Sequence, residues 1–328
     1  MHIMVTGAAG FVGSRVARRL LEDEHEVTGI DALTPYYDPE IKRRAAKQLT
    51  GLGGDRFRLV RADLSEPGWE HHLDDVDVVL HQAGQPGVRA SWSGGFATYV
   101  QHNVLATQRL LEAVRDRAGT SRAVRRIVYA SSSSVYGDAL RLPTPETSLP
   151  APRSPYGVTK LAAEHLCAAY SAGFGVDTVT LRYFTVYGAG QRPDMALHRM
   201  IMAAHQQRPF PRFGDGRQER DLTHVDDVAA ANVAAMTAPV APGSVYNIAG
   251  GSRASLQQLL DLVGDAVGTP VPIDPQPEQA GDVRRTGGDT TAARAALRWA
   301  PRVDLGAGIA EQVKSLLGGS MTASGTPQ

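Results

Sequence analysis

The stretch TGAAGFVG, residues 6–13, constrains this chain more than any other. An apolar run, HIMV, leads into it, and a helical pattern from Phe11 to about Leu21 leads out. A buried strand that turns at once into a helix needs residues without side chains at the turn. Gly7, Gly10 and Gly13 supply them and let backbone approach a pyrophosphate at the helix N-terminus, where N–H groups lack partners. The spacing is G-x-x-G-x-x-G rather than G-x-G-x-x-G. Asp31 follows Gly13 by 18 residues and ends the next apolar run, EVTGID (26–31). A carboxylate there accepts from both hydroxyls of an adenine ribose and repels a 2′-phosphate, so the site favours NAD over NADP.

Further apolar runs recur at RFRLVRADL (56–64), VDVVLHQAG (76–84), VRRIVYASSSS (124–134) and DTVTLRYFTVYG (177–188). Helical patterns lie between them, one over about Phe96–Arg117 and one beginning at Pro155. Strands alternating with helices predict an α/β fold: a Rossmann-type doubly wound parallel sheet, covered on both faces. On the cofactor side, Asp63 is placed to meet the adenine edge, and Gln82, Ala83 and Gly84 put small residues against the cofactor. From about 189 the texture changes to helices separated by Pro- and Gly-rich loops, RPFPRFGDGRQERD (208–221) and PVPIDPQPEQAGD (270–282). These predict a smaller C-terminal α/β substrate-binding lobe from 189–223 and 250–320. Residues 1–188 form the NAD-binding domain, 224–249 return to it through a short strand at GSVYNIAG (243–250), and 321–328 are expected to be disordered.

Composition excludes several function classes. Lys+Arg and Asp+Glu number 34 each, and the Arg-Arg pairs are scattered, so nothing calls for nucleic acid. No run approaches the roughly 20 apolar residues of a membrane span. The first strand begins at once, so no signal peptide is expected. The single cysteine, Cys167, cannot form an internal disulfide, which fits a reducing, cytoplasmic setting. His71, His72 and Cys167 make no ligand pattern, so no metal is expected, and His224 reads as a structural histidine.

The sharpest chemistry lies in SPYGVTKLAAEHL (154–166). Ser154 can cap a helix whose first residue is Pro155. Tyr156 and Lys160, at i and i+4, then share a face. A phenol ordinarily titrates near 10. A neighbouring ammonium favours the phenolate and makes it a general base. Alone, this spacing also describes a surface tyrosine over a lysine stem. Two further strand ends, delivering SSSS (131–134) and Thr185 to the same edge of the sheet, favour the catalytic reading.

Taken together, TGAAGFVG, HQAG, ASSSSVYG, SPYGVTK, LRYFTVYG and RDLTHVDDV resemble the extended short-chain dehydrogenase/reductases of the NAD-dependent sugar epimerase/dehydratase family, from Ile3 to about Pro301. GIDALTPYYDPEIKRRAA (29–46) and GVR (87–89) carry the resemblance nearest to its UDP-glucuronate 4-epimerases. The resemblance implies an isomerase in which Tyr156 takes the proton from the sugar O4 while hydride passes from C4 to bound NAD. Lys160 would hold the nicotinamide ribose and keep the phenol ionised, and Ser132 would bridge O4 and Tyr156. It extends the cofactor contacts to Phe11, Val12, Lys42, Leu64, Asn103, Ser131 and Tyr183. At the nucleotide end it points to Arg220 for the diphosphate and to Arg192, Phe213 and Asp282 around the uridine. Relatives pair the helix near 96–117 and the Tyr156 helix across a homodimer.

Family dehydratases carry Asp-Glu after the serine, and decarboxylases a Glu two residues before the tyrosine of VYG. Here Ser133 and Ser134 stand in those places, and a hydroxyl is neither a useful base nor a strong acid at pH 7. Oxidising glucuronate at C4 makes a β-keto acid prone to lose carbon dioxide. Ser133, Ser134, Thr185 and Arg89 are therefore expected to hold the carboxylate in an unproductive orientation. The alternatives are a 4-epimerase of UDP-glucose or UDP-N-acetylglucosamine, a UDP-glucuronate decarboxylase, a ketoreductase that releases NADH, and a dinucleotide-sensing regulator. Regulators of that kind commonly lack the tyrosine–lysine pair.

Overall fold

The computed structural model describes residues 1–92, 94–120, 123–278 and 283–318. The apolar runs form strands β1 (His2–Thr6), β2 (Glu26–Asp31), β3 (Phe57–Arg61), β4 (Val78–His81), β5 (Arg126–Ser132) and β6 (Thr178–Tyr183). The first helix, α1 (Phe11–Glu22), lies between β1 and β2. Helix α2 (Pro39–Gly53) was not expected from the pattern. Asp38 caps it by accepting from Glu40 N, Pro39 opens it, and it buries Ala46, Leu49 and Gly53.

The long helix before β5 is not uniform. α3 (Phe96–Tyr99) runs through a wider π turn at Val100–Leu105 into α4 (Ala106–Arg115). After β5 come α5 (Pro155–Phe174), then β6 and the two-residue strand β7 (Val186–Tyr187). The rest is α6 (Ala196–Gln206), β8 (Phe210–Phe213), β9 (Glu219–His224), α7 (Val225–Thr237), β10 (Ser244–Ile248), β11 (Ser252–Ser255), α8 (Leu256–Val267), β12 (Ile273–Gln276), α9 (Thr291–Leu297) and α10 (Leu305–Gly318).

Seven strands form one parallel sheet in the order β3-β2-β1-β4-β5-β6-β10. Alternation decides which face each side chain covers. Ile3, Val5, Val78, Leu80, Val128 and Leu181 pack with Val16 and Leu20 of α1 and Val228 of α7. Met4, Val79, Ile127 and Tyr129 pack on the other side with Leu110 of α4 and Ala163 and Cys167 of α5. The strand order reverses between β1 and β4, which opens a crevice beyond their carboxyl ends.

A separate apolar cluster joins Leu197, Met200 and Ile201 of α6, Leu259, Leu260 and Val263 of α8, and Ile309 and Val313 of α10. The Pro-rich stretches expected as loops contain strands here. β8 pairs in parallel with β12, Phe210 opposite Ile273, and Phe210 N donates to Pro272 O at 2.8 Å. Proline is tolerated because this sheet has only two strands, so each is an edge. The last expected segment, 321–328, lies outside the described residues. No described helix is long and apolar enough to cross a membrane.

Candidate active site

A cavity of about 400 Å³ runs along the carboxyl edge of the sheet, from the glycine turn to Tyr156 and Arg192. The turn fits a dinucleotide closely. Gly7 has φ +66°, and a Cβ there would meet the Ala83 backbone at 2.9 Å. A Cβ on Gly13 would overlap the Gly7 carbonyl. β1 and β4 can therefore be joined at the crevice only with bare backbone at these points. No side chain caps α1 at Gly10, so its first N–H groups face the cavity.

Asp31 is 7% exposed yet lines the cavity. One carboxylate oxygen accepts from Ala9 N at 3.0 Å and the other from Leu33 N at 2.7 Å. These bonds fix the carboxylate and leave lone pairs for ribose hydroxyls. Asp63 accepts from the backbone and hydroxyl of Ser65 and faces His102 Nε2 at 3.2 Å. Burial raises its carboxyl, but these bonds outweigh burial and hold it below the usual range. Lys42 donates to the Thr34 carbonyl and hydroxyl at 3.0 and 3.1 Å. Phe11, Val12, Leu64, Gln82, Ala83, Gly84, Ser131 and Tyr183 complete this end of the wall. Tyr183 donates to Gln82 Oε1 at 3.0 Å. The set matches the requirements of NAD: a cradle for phosphates, a ribose acceptor and small residues between them.

Asn103 is not on the wall. Its Oδ1 accepts from Gln85 N at 2.7 Å and its amide donates to Thr159 Oγ1 at 2.9 Å, behind Gly84. It sits in the π turn and braces the loop after β4 against α5.

At the other end α5 begins. Ser154 accepts from Gly157 N at 3.1 Å, and Pro155 opens the helix. Tyr156 and Lys160 both reach the cavity wall, with Ser132, Ser133, Ser134 and Thr185 around them. Burial pushes the Tyr156 phenol above its ordinary value. A hydrogen bond with Ser132 and the charge of Arg192 pull it back down.

Arg192 is a cation whose charge lowers the phenol. Lys160 Nζ donates to the Ala130 carbonyl at 2.9 Å and lies 5.1 Å above the Tyr129 ring. Burial pushes Lys160 down to about 8.

Arg192, expected around the uridine, lines the main cavity with Tyr156 and lies 5.9 Å from the Tyr36 ring. Asp194 accepts from its Nε at 3.0 Å and its Nη2 at 2.9 Å.

Three expected sugar-side residues do not reach this wall. The Arg89 guanidinium lies over the Phe213 ring at 4.4 Å. Phe213 lines a separate cavity of about 110 Å³ with Gly214, Asp215, Gln218, Glu278 and Arg284. Arg220 donates to the Glu219 carbonyl at 2.9 Å. Asp282 lies outside the described residues.

Tyr36, Tyr37 and the loop Gln85–Val88 line the cavity without having been singled out as site residues. Tyr99 packs edge-on to Tyr156 at 6.2 Å, and its hydroxyl points at the carbonyls of Pro86 and Gly87, at 2.9 and 2.8 Å. The signal for the first pair was the YYDP run itself, two adjacent aromatics in a polar loop after Asp31. Elsewhere, His224 is buried, and its Nδ1 accepts from Asp226 N at 3.3 Å at the start of α7. Asp226 and Glu311 beside it are ion-paired with Arg15.

This geometry places a phenol, a hydroxyl and a buried ammonium at the end of a dinucleotide cradle, and the chain as a whole resembles known proteins. A Bacillus cereus UDP-glucuronic acid 4-epimerase, solved in complex with UDP-glucuronic acid and NAD, superposes with a TM-score of 0.91 at 37% identity, covering 97% of this chain and 99% of that one. An uncharacterized UDP-glucose epimerase of Bacillus subtilis strain 168 is 40% identical over 320 residues, 96% of this chain and 98% of its own length. A probable UDP-glucuronate 4-epimerase of Rhizobium meliloti strain 1021 is 33% identical over 96% of both chains. The profile of one family covers residues 3–249, from the glycine turn past the tyrosine helix and the last strand of the main sheet. The chain is a member of the NAD dependent epimerase/dehydratase family.

Proposed function

We propose that the protein is a UDP-glucuronate 4-epimerase, interconverting UDP-glucuronate and UDP-galacturonate. The observation that carries this is the company kept by Tyr156. Ser132 lies on the wall with it and lowers its phenol, and beside them are the neutral hydroxyl residues Ser133, Ser134 and Thr185 and the Arg192 cation. Tyr156, as phenolate, takes the proton from the sugar O4, and Ser132 bridges that oxygen and the phenol. NAD, when bound, would supply the hydride acceptor and donor at C4. Tyr156 then returns its proton to O4, which becomes the 4-hydroxyl of opposite configuration. Neutral donors can hold a C6 carboxylate by hydrogen bonds without acting as base or acid toward C5 or C6. The similarity to the Bacillus cereus and Rhizobium meliloti enzymes supports the same substrate.

The neutral-sugar reading stands second, on the 40% identity to the Bacillus subtilis relative. Incubation with UDP-glucuronate and catalytic NAD, followed by NMR, separates the readings. UDP-galacturonate with the hexuronate intact is the expected product. A UDP-pentose would mean decarboxylation, and no turnover of UDP-glucuronate with turnover of UDP-glucose would overturn the substrate assignment.

A homodimer belongs to the same proposal. Phe96 and Val100, on α3 and the π turn, and Val158 on α5 are 43, 38 and 47% exposed. They form apolar patches on the two helices that relatives pair, and a second copy would cover them. Light scattering at assay concentration is expected to give twice the monomer mass, and the mass of a single chain would remove this part.

A further inference from the structure

Tyr156 and Lys160 do not end their row. Glu164 follows at the next i+4 position of α5 and is 6% exposed, as is Lys160. Its carboxylate is gripped from both sides. Arg182 of β6 donates through Nε to Oε1 at 3.0 Å and through Nη2 to Oε2 at 2.7 Å. The Ser131 hydroxyl, on the cavity wall, donates to Oε1. Arg182 is itself fixed. Its Nη1 donates to the Tyr136 hydroxyl at 2.7 Å, which donates to Asn247 Oδ1 at 2.8 Å.

We propose that Glu164 is a positioning residue, clamped by Arg182 so that its charge keeps the buried Lys160 an ammonium and its oxygen aims Ser131 at the cofactor cavity. This rests on Lys160 acting as a cation beside NAD, as the proposed function holds.

The surroundings of Lys160 give the reason. From β5 it meets the Ala130 carbonyl and the Tyr129 ring, and burial holds that tyrosine well above its ordinary value. From β4 it faces His81, which burial pushes down to about 3 and keeps neutral. On its own helix are Tyr156 and Cys167, whose thiol burial pushes up to about 12. The π turn offers only the neutral Asn103, near the same point of Gly84. Arg182 lies beyond Glu164 and is a cation. Among the described residues, Glu164 is thus the anion acting on this ammonium. A buried amine without a counter-anion gives up its proton.

A merely structural ion pair would behave differently. Its loss would lower activity at every pH and move no titration. Two measurements follow: NADH binding by fluorescence across pH, without sugar, and the pH profile of kcat/KM on whichever UDP-sugar the wild type converts. In Glu164→Gln the alkaline loss of both is expected to fall by about one pH unit. Glu164→Asp should recover most of that shift. Arg182→Gln breaks the same pair from the cationic side and should not lower the limb. If Glu164→Gln does not fold, the double variant Glu164→Gln with Arg182→Gln leaves no orphan charge and should still lower it. Alkaline limbs at the wild-type position in the folded variant lacking Glu164 would overturn the inference, as would an equal fall in Arg182→Gln. A wild type that converts no UDP-sugar would sink the proposed function instead, and the NADH measurement would still judge Glu164.

Discussion

The two ends of the cavity are built by different means. At the NAD end, the groups sit at the ends of strands or on the turn that follows them: Gly7 after β1, Asp31 ending β2, Gln82 after β4, Ser131 near the end of β5. The sheet register fixes them, and Asp31 is bonded to the same turn it helps to shape. At the sugar end, besides the residues that follow β5 and β6, the wall is made by segments between elements: Tyr36, Pro86 to Val88, Arg192 and Met195. Side-chain bonds hold these segments, such as Tyr99 to the Pro86 and Gly87 carbonyls and Arg192 to Asp194. The difference separates two properties. If the proposed function holds, cofactor use belongs to the sheet and substrate choice to the loops laid over it. Changes at the first end should affect all substrates alike, and changes at the second should discriminate.

Tyr156 stands where the two ends meet, so it gives the largest effect. Tyr156→Phe removes the proposed base while keeping the ring packed against Tyr99. kcat is expected to fall by about 10²- to 10⁴-fold on every UDP-sugar, with NAD affinity nearly unchanged. Single-turnover assays with NAD titrated separately check both halves. Retained turnover would move the base elsewhere in the cavity.

Asp31→Asn tests the sheet end alone. It takes the charge from the ribose acceptor and weakens its bonds to Ala9 N and Leu33 N. Hydrogen bonds to charged groups contribute about 1.5–3 kcal/mol, so NAD affinity should drop by roughly 10- to 100-fold. At saturating NAD, the ratio of turnover on UDP-glucuronate to that on UDP-glucose should stay as in the wild type. A changed ratio would break the separation between the two ends.

Arg192→Met probes the loop end through the phenol. Arg192 lowers Tyr156, so its loss raises the phenol further above its ordinary value. The phenolate is the form the proposed mechanism uses, and it becomes scarcer at any pH below that value. The acid limb of kcat should therefore move to higher pH by about one unit, with about tenfold less activity on its rising part. Asp194→Asn frees the same guanidinium from its partner and should move the limb the opposite way. A limb that stays put in both variants would return the tuning to Lys160.

The same contrast decides what was legible in the sequence. Glycine spacing, the strand-ending aspartate and the i, i+4 pair are local patterns, and each fell on a regular element whose period projects its side chains predictably. The π turn at Val100–Leu105 has no such signature, and neither do the bonds by which Asn103 in it braces the loop after β4. Helix α2 did carry a cap and an N-terminal proline, Asp38 and Pro39, but its charged run hid the few buried positions. Arg192 and Phe213 lie in or beside loops, where no period relates number to position. The placement of Arg192 beside Tyr156, and of Phe213 under Arg89, depends on how α6 and β8 pack. Proline in β8 and β12 argued for loops, and only a tertiary partner makes them strands.

The smallest expected effect is the most specific to the loop end. A 4-keto hexuronate loses carbon dioxide when its C5–carboxylate bond lies parallel to the ketone π-system, so restraint of the carboxylate governs the ratio of epimer to pentose. Ser134 and Thr185 offer neutral donors on the wall beside Tyr156, and neither carries charge that would alter the phenol. A hydrogen bond of this kind contributes about 1 kcal/mol, so Ser134→Ala or Thr185→Val should each raise the pentose fraction by roughly fivefold while kcat for epimerisation changes little. NMR of the product mixture reads both quantities in one experiment. Thr185→Val keeps the shape of the side chain and removes only its donor, which ties any change to the hydrogen bond. An unchanged ratio in both variants would leave Arg192 as the group that holds the carboxylate, and the double variant with Arg192→Met would then have to release it.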